Sequence, residues 1–190
     1  FMRDRAISAS LYLNLAPNYD ALYAPRYIEE RGLNNELRLR YLNPLFGQWL
    51  VAGAYIENDK KYSDQTSAQG SSDRWLGVVK QNGLFQQRWQ SRVDYSKASD
   101  VDYIKDLETS SIDAQRRTSL LQMASLDYLG DSWLTGLRTQ QFQSLADDIN
   151  KGYETIPQLT SVYRGRGTPF TVEPILLAQY SKFDAQRDVV

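Results

Sequence analysis

The chain has 190 residues, 42% of them hydrophobic and 24% charged, with a formal net charge of −1, which suits one ordinary domain. It contains no cysteine and no histidine, which excludes disulfides, cysteine-based metal centres and nucleophiles, and the commonest general base. Its basic residues are scattered, so the basic face of a nucleic-acid-binding protein is missing and no nucleic-acid partner is expected.

No apolar run approaches the roughly 18–20 residues of a membrane-spanning helix. The chain shows alternation instead. Ten segments of two-residue period can be drawn, about 6–16, 19–28, 34–43, 48–58, 73–82, 86–97, 117–129, 132–144, 157–166 and 169–181. Tight connections at 17–18, 44–47, 83–85, 130–131 and 167–168 take turns with mostly longer ones at 29–33, 59–72, 98–116 and 145–156. Short turns at one end of a meander and long loops at the other are what an outer-membrane β-barrel requires.

In the first segment Ile7, Ala9, Leu11, Leu13 and Leu15 point one way and Ser8, Ser10, Tyr12 and Asn14 the other. A half-buried strand of a soluble sandwich would read the same. The third segment is sharper: Leu37, Leu39 and Tyr41 oppose Glu36, Arg38 and Arg40. Three ionised groups on the inner face of a sandwich would be very costly, whereas a polar lumen accepts them. The sixth segment sets Trp89, Val93 and Tyr95 against Arg88, Gln90, Arg92 and Asp94, and the eighth sets Trp133 and Leu137 against Arg138 and Gln140. The charged set is expected to face the lumen, and Leu11, Leu13, Leu37, Leu39, Trp89 and Val93 to face lipid. Residues 117–129 also fit helical spacing, but the neighbouring segments leave a strand-sized gap there.

Asn82-Gly83 and Gly130-Asp131 read as hairpin pairs. Pro17 and Pro44 stop strands, since proline cannot donate to a ladder. Pro25 interrupts the strand DALYAPRY. It marks either an edge or irregular strand end, or a seam kept weak so that it can open. The loop 57–72 is polar and reads as solvated, and Asp100, Asp102, Asp106, Asp147 and Asp148 read as solvated loop acids without calcium-loop spacing. Within the second long loop, Tyr103, Ile104 and Leu107 should order the DYIKDL stretch by burial. Ser71-Ser72-Asp73 lacks a general base, and the single RGRG at 164–167 reads as a turn. No catalytic set, metal site or cofactor is expected.

Six stretches carry a resemblance: NLAPNYDA (14–21), PRYIEERG (25–32), LRLRYLNP (37–44), YIENDK (55–60), SSDRWL (71–76) and DYSKASDVDYIKDL (94–107). With IPQLTSVYRG (156–165) they resemble, in order, the barrel of the LptD family. These are the lipopolysaccharide-assembly or organic solvent tolerance proteins of the Gram-negative outer membrane. The resemblance covers essentially the whole chain. It implies that residues 1–190 are a single partial segment of the β-barrel domain, without the family's periplasmic jelly-roll domain, its cysteines and its remaining strands.

The expected fold is therefore all-β, an antiparallel up-and-down meander of about ten strands within a transmembrane barrel. The chain begins FMRDRA, without a signal segment, and is expected to be an internal piece of a longer precursor. The resemblance further implies insertion of lipopolysaccharide into the outer leaflet, with membrane lipids, the LptE lipoprotein plug and the periplasmic transport bridge as partners. It implies a lateral gate weakened by prolines, a role carried here onto Pro17 and Pro25. A ten-stranded outer-membrane enzyme and a soluble β-sandwich binding module are the rival readings.

Overall fold

The structure is a computed structural model, and it describes residues 5–66, 72–107, 109, 112, 119–145, 153–165 and 173–185. Among these, eleven strands form one antiparallel sheet. They are β1 (Ala6–Ser8), β2 (Leu11–Ala16), β3 (Tyr19–Ile28), β4 (Gly32–Asn43), β5 (Gly47–Ile56), β6 (Arg74–Phe85), β7 (Trp89–Ala98), β8 (Ser119–Leu129), β9 (Trp133–Ser144), β10 (Tyr153–Arg164) and β11 (Ile175–Ala185). Two short helices, α1 (Lys60–Thr66) and α2 (Tyr103–Asp106), follow β5 and β7. Sequential strands pair from β3 to β11, while β1 and β2 lie end to end along β3. Among the described residues the meander is not closed on itself: β11 pairs with β10 alone.

The period-two pattern becomes two faces because the ladders hold their register across the sheet. One row runs through paired residues Asp20, Arg40, Leu50, Lys80, Asp94, Met123 and Gln140. The next row, on the opposite face, runs through Ala21, Leu39, Val51, Val79, Tyr95 and Gln122. The second face leaves Tyr23, Leu37, Leu39, Val51, Tyr55, Trp75 and Tyr95 exposed. The first receives the loops. Ile28, Ala52, Ala54, Ile56, Leu76, Val78 and Ala98 of this inner face pack with Tyr103, Leu107, Ile112 and Leu120 into one buried cluster. Small alanines at three of these wall positions let the loop after β7 lie close to the sheet.

Several expectations change. Segment 6–16 is broken at Ala9–Ser10 into two strands, so eleven strands replace about ten. Asn82-Gly83 is no turn: both residues continue β6, and the chain reverses at Gln86–Arg88, where Gln86 (φ 51°) and Gln87 (φ 56°) are left-handed. Gly83 serves a close approach instead, since a Cβ there would collide with the carbonyl of Phe46. Residues 119–129 form a strand, as the strand-sized gap between their neighbours led one to expect. The last two strands sit at 153–164 and 175–185, displaced from 157–166 and 169–181. Pro17–Asn18 and Pro44–Phe46 are turns as read, Asp131–Ser132 is a bend, and Gly130 N donates to Trp133 O at 2.8 Å across it. Ser71, Asp147, Asp148 and the turn expected at 167–168 lie outside the described residues.

Candidate functional site: the inner wall and the first strands

Two features of the inner wall and one of the sheet's first strands carry the chemistry. At the long-loop end, Arg74 opens β6 and is fully buried. Its Nε and Nη2 donate to Asp100 Oδ2 and Oδ1 at 2.9 and 2.7 Å, a bidentate pair. Its Nη1 donates to Asp59 Oδ2 at 3.0 Å and to Asp106 Oδ2 at 3.1 Å. Arg31, in the turn after β3, donates through Nη1 to the same Asp59 oxygen at 2.8 Å, and its Nη2 lies 3.7 Å from Asp106. The Tyr62 and Tyr103 rings lie 4.4 and 5.6 Å from the Arg74 guanidinium.

The local sequence prepares this meeting. Asp59 stands just before α1, and its Oδ1 accepts from the Tyr62 amide at 3.2 Å, an N-cap that leaves Oδ2 free for the arginines. Asp100 accepts from Ser99 Oγ at 2.6 Å and from the Asp102 amide at 3.1 Å, which fixes its plane toward Arg74. Burial pushes the Asp100 carboxyl up, but the hydrogen bonds from Arg74 and Ser99 outweigh it and hold it below the usual range. Burial raises the Tyr103 phenol, whose oxygen has no hydrogen-bond partner among the described residues, and the nearby Glu36 charge raises it further.

Asp100 and Asp106 are therefore not the solvated loop acids expected, whereas Asp102, half exposed, is one. Asp59, Asp100 and Asp106 neutralise two inward arginines and pin both long connections to the wall. Nor is 57–72 wholly a solvated loop, since Asp59 is fully buried. The DYIKDL stretch is ordered as expected: Tyr103 and Leu107 are fully buried and Ile104 packs against them. The sequence carried no local signal for Arg31 or Arg74; Arg74 and its three acids are 15, 26 and 32 residues apart.

Toward the short turns the inner wall is open and polar, around a concavity of about 880 Å³ lined among others by Tyr12, Asp20, Arg40, Lys80, Arg92 and Asp94. Arg40 Nε and Nη2 grip Asp20 Oδ1 and Oδ2 at 2.9 and 2.7 Å, and Tyr12 OH donates to Oδ2 at 3.3 Å, tying β2, β3 and β4 together. Register places Glu36, Arg38, Arg40, Arg92, Asp94 and Arg138 on this one face. Glu36 lies fully buried at the loop end, and Arg138 donates to Gln140 at 2.6 Å farther along the sheet. Arg88 stands apart from the set. It sits in the turn before β7 and donates to Tyr128 OH at 3.3 Å and to Asp131 at 3.4 Å.

Pro17 ends the β2–β3 hairpin, and Pro25 lies within β3 opposite Asn35 of β4. The Pro25 carbonyl accepts from Ala9 N at 3.1 Å. Because the nitrogen and carbonyl of one strand residue point to the same side, the missing Pro25 donor also faces the first strand. That strand breaks at the same level, between Ser8 and Leu11. The β3–β4 ladder, by contrast, runs ten pairs without a shift.

The outer face carries an aromatic belt at the short-turn end. Phe85 stacks on Trp89 at 6.3 Å, Trp89 meets Tyr128 at 5.0 Å, and Trp133 meets Tyr163 at 4.9 Å. Such girdles sit at membrane interfaces of β-barrels.

The family model described as LptD, LPS transport system D, matches residues 72–190. The chain belongs to the LptD family. Relatives extend the likeness over the first strands. It is 36% identical over 177 residues to the LPS-assembly protein LptD of Sodalis glossinidius (strain morsitans), covering 93% of this chain and 22% of that protein. It is 31% identical over 183 residues to that of Vibrio vulnificus (strain YJ016), covering 96% and 21%. Against that of Pseudomonas savastanoi pv. phaseolicola it is 39% identical over 149 residues, covering 78% and 16%. The chain thus spans about a fifth of the length of these relatives.

Proposed function

We propose that this segment forms wall strands of an outer-membrane barrel in a Gram-negative bacterium, and that the parent protein delivers lipopolysaccharide into the outer leaflet. Family membership carries the reading, and a sheet with one apolar exposed face and one polar loop-covered face supports it. The step is transport without covalent catalysis. Glu36, Arg38, Arg40, Arg92, Asp94 and Arg138 face the lumen, where the concavity would meet sugar or the LptE plug. The periplasmic bridge would join through the family's jelly-roll domain. Arg88 borders the short-turn end, at the level of the aromatic belt.

Acyl chains leave through a lateral gate at the first strands. The observation that favours this place is the Pro25 nitrogen facing an interrupted strand, which leaves that ladder short of one donor. Restoring it would contribute about 0.5–1.5 kcal/mol, and each 1.4 kcal/mol added to the closed state lowers opening about tenfold. In the full-length parent, Pro25→Thr with Pro17→Ala should slow glycolipid delivery and raise sensitivity to bulky antibiotics at normal protein level. Intact barrier function in that variant would reduce the prolines to strand punctuation.

A further inference from the structure

The outer face is not uniformly studded with side chains. Across β4, β5, β6 and β7 one row runs Leu37, Gly53, Gly77 and Lys97. The row nearer the loops holds Asn35, Tyr55 and Trp75, and the row nearer the short turns holds Leu39, Val51, Val79 and Tyr95. The two glycines therefore sink the middle of an otherwise bulky apolar wall. Over Gly53 lies a hollow of about 320 Å³ bordered by Leu37, Leu39, Val51 and Tyr55. Its one amide side chain, Asn35, already accepts from Tyr23 OH at 2.7 Å.

Neither glycine is demanded by the backbone. A Cβ on Gly53 would meet only the Leu76 carbonyl, at an ordinary 3.5 Å, and one on Gly77 would touch the Trp75 ring at 3.9 Å. Glycine in a strand interior weakens it and often marks a close approach by a ligand. Here the side open to approach is the lipid-facing one. Lys97, exposed, lies two strands from Gly53, about 10 Å away by inter-strand spacing. It shares the outer face with the hollow at the long-loop end, among Tyr55, Trp75 and Tyr95. A cation level with an apolar hollow and beside an aromatic rim is complementary to a phosphorylated lipid, acyl chain in the hollow and phosphate alongside.

We propose that the outer wall of β4–β7 holds one lipopolysaccharide molecule of the surrounding leaflet, with an acyl chain in the hollow over Gly53 and a headgroup phosphate on Lys97. This rests on the barrel reading above, with the long-loop end external because such barrels carry their longer loops outside the cell and their short turns in the periplasm. It adds a resident lipid on the wall, in a hollow on β4 and β5 that begins one strand beyond the proline-bearing β3.

The test uses the full-length parent reconstituted in phosphatidylcholine vesicles with limiting lipopolysaccharide, extracted in mild detergent, with glycolipid per barrel counted by native mass spectrometry. Gly53→Leu, which fills the hollow, and Lys97→Gln should each weaken retention of one glycolipid about tenfold, equivalent to 1.4 kcal/mol. Lys97→Arg should keep it. Unchanged retention in both weakening variants overturns the proposal, as does equal retention of phosphatidylglycerol by the unaltered protein. Antibiotic sensitivity of cells carrying either variant should stay normal. The gate is tested separately by the proline substitutions, so failure of one reading is distinguishable from failure of the other.

Discussion

Arg74 sets the behaviour of the loop end at the scale of single residues. It is buried with Asp59, and both side chains are at or near zero exposure. Removing one member of such a pair leaves a buried charge without compensation, at about 3–5 kcal/mol. Arg74→Ala in the full-length protein should therefore release α1 and α2 and open residues 99–107 to protease, read by digestion of intact cells. Arg74→Lys should rescue little, because a point charge cannot hold Asp100 bidentately and reach Asp59 and Asp106 as well. The network is also acid-sensitive. The Asp100 carboxyl is held below its ordinary value near about 3.9. Its contribution is present above that value and is lost as pH falls through the lowered one. Protection of the loop after β7 should be flat from neutral pH to about 4 and decline below it, as amide hydrogen exchange of residues 99–107, corrected for its intrinsic pH dependence, would reveal.

Turn chemistry is where the elements depart from the commonest patterns. Gln86 and Gln87 hold positive φ without glycine's freedom, at about 1–2 kcal/mol per residue. Gln86→Asn with Gln87→Gly should stabilise the β6–β7 hairpin by about 1 kcal/mol, seen as a higher heating temperature for loss of barrel mobility in gels. Gly83→Val should do the reverse, because its side chain would enter the Phe46 carbonyl of the neighbouring turn; about 1–3 kcal/mol is the scale for such overpacking. The β1–β2 break belongs to this scale too. A strand cut at Ala9–Ser10 cannot ladder continuously with β3, and Pro25 sits where the cut occurs.

For the whole molecule, the alternating faces divide the environment. Single cysteines can be introduced without background in this segment, which has none of its own. A water-soluble thiol probe on the full-length barrel should reach positions 40 and 92, on the open inner concavity. It should spare positions 37, 39 and 93 on the opposite face. The reverse pattern would overturn the assignment of faces. Leu39→Arg should destabilise by about 2–4 kcal/mol if position 39 lies near the bilayer midplane. Arginine at Met123, on the inner face of β8, should cost less than at position 39 if the lumen is polar.

Local order was legible in the residues themselves. A period of two is a property of neighbours, so Leu37 and Leu39 against Arg38 and Arg40 declared their faces without any knowledge of the sheet. Strand existence and the all-β meander followed, as did the turns at Pro17, Pro44 and Gly130, where backbone constraints act within a few residues. Tertiary structure decided whatever depended on distant partners. Asp59, Asp100 and Asp106 looked like solvated loop acids because nothing near them in sequence neutralises them; Arg74 and Arg31 do so only once β3 and β6 share a wall. Asn82-Gly83 looked like a turn because the pair favours one. The approach of the Phe46 turn instead used Gly83 for its missing side chain and moved the reversal to Gln86–Arg88. Propensity gave way where packing supplied the larger energy.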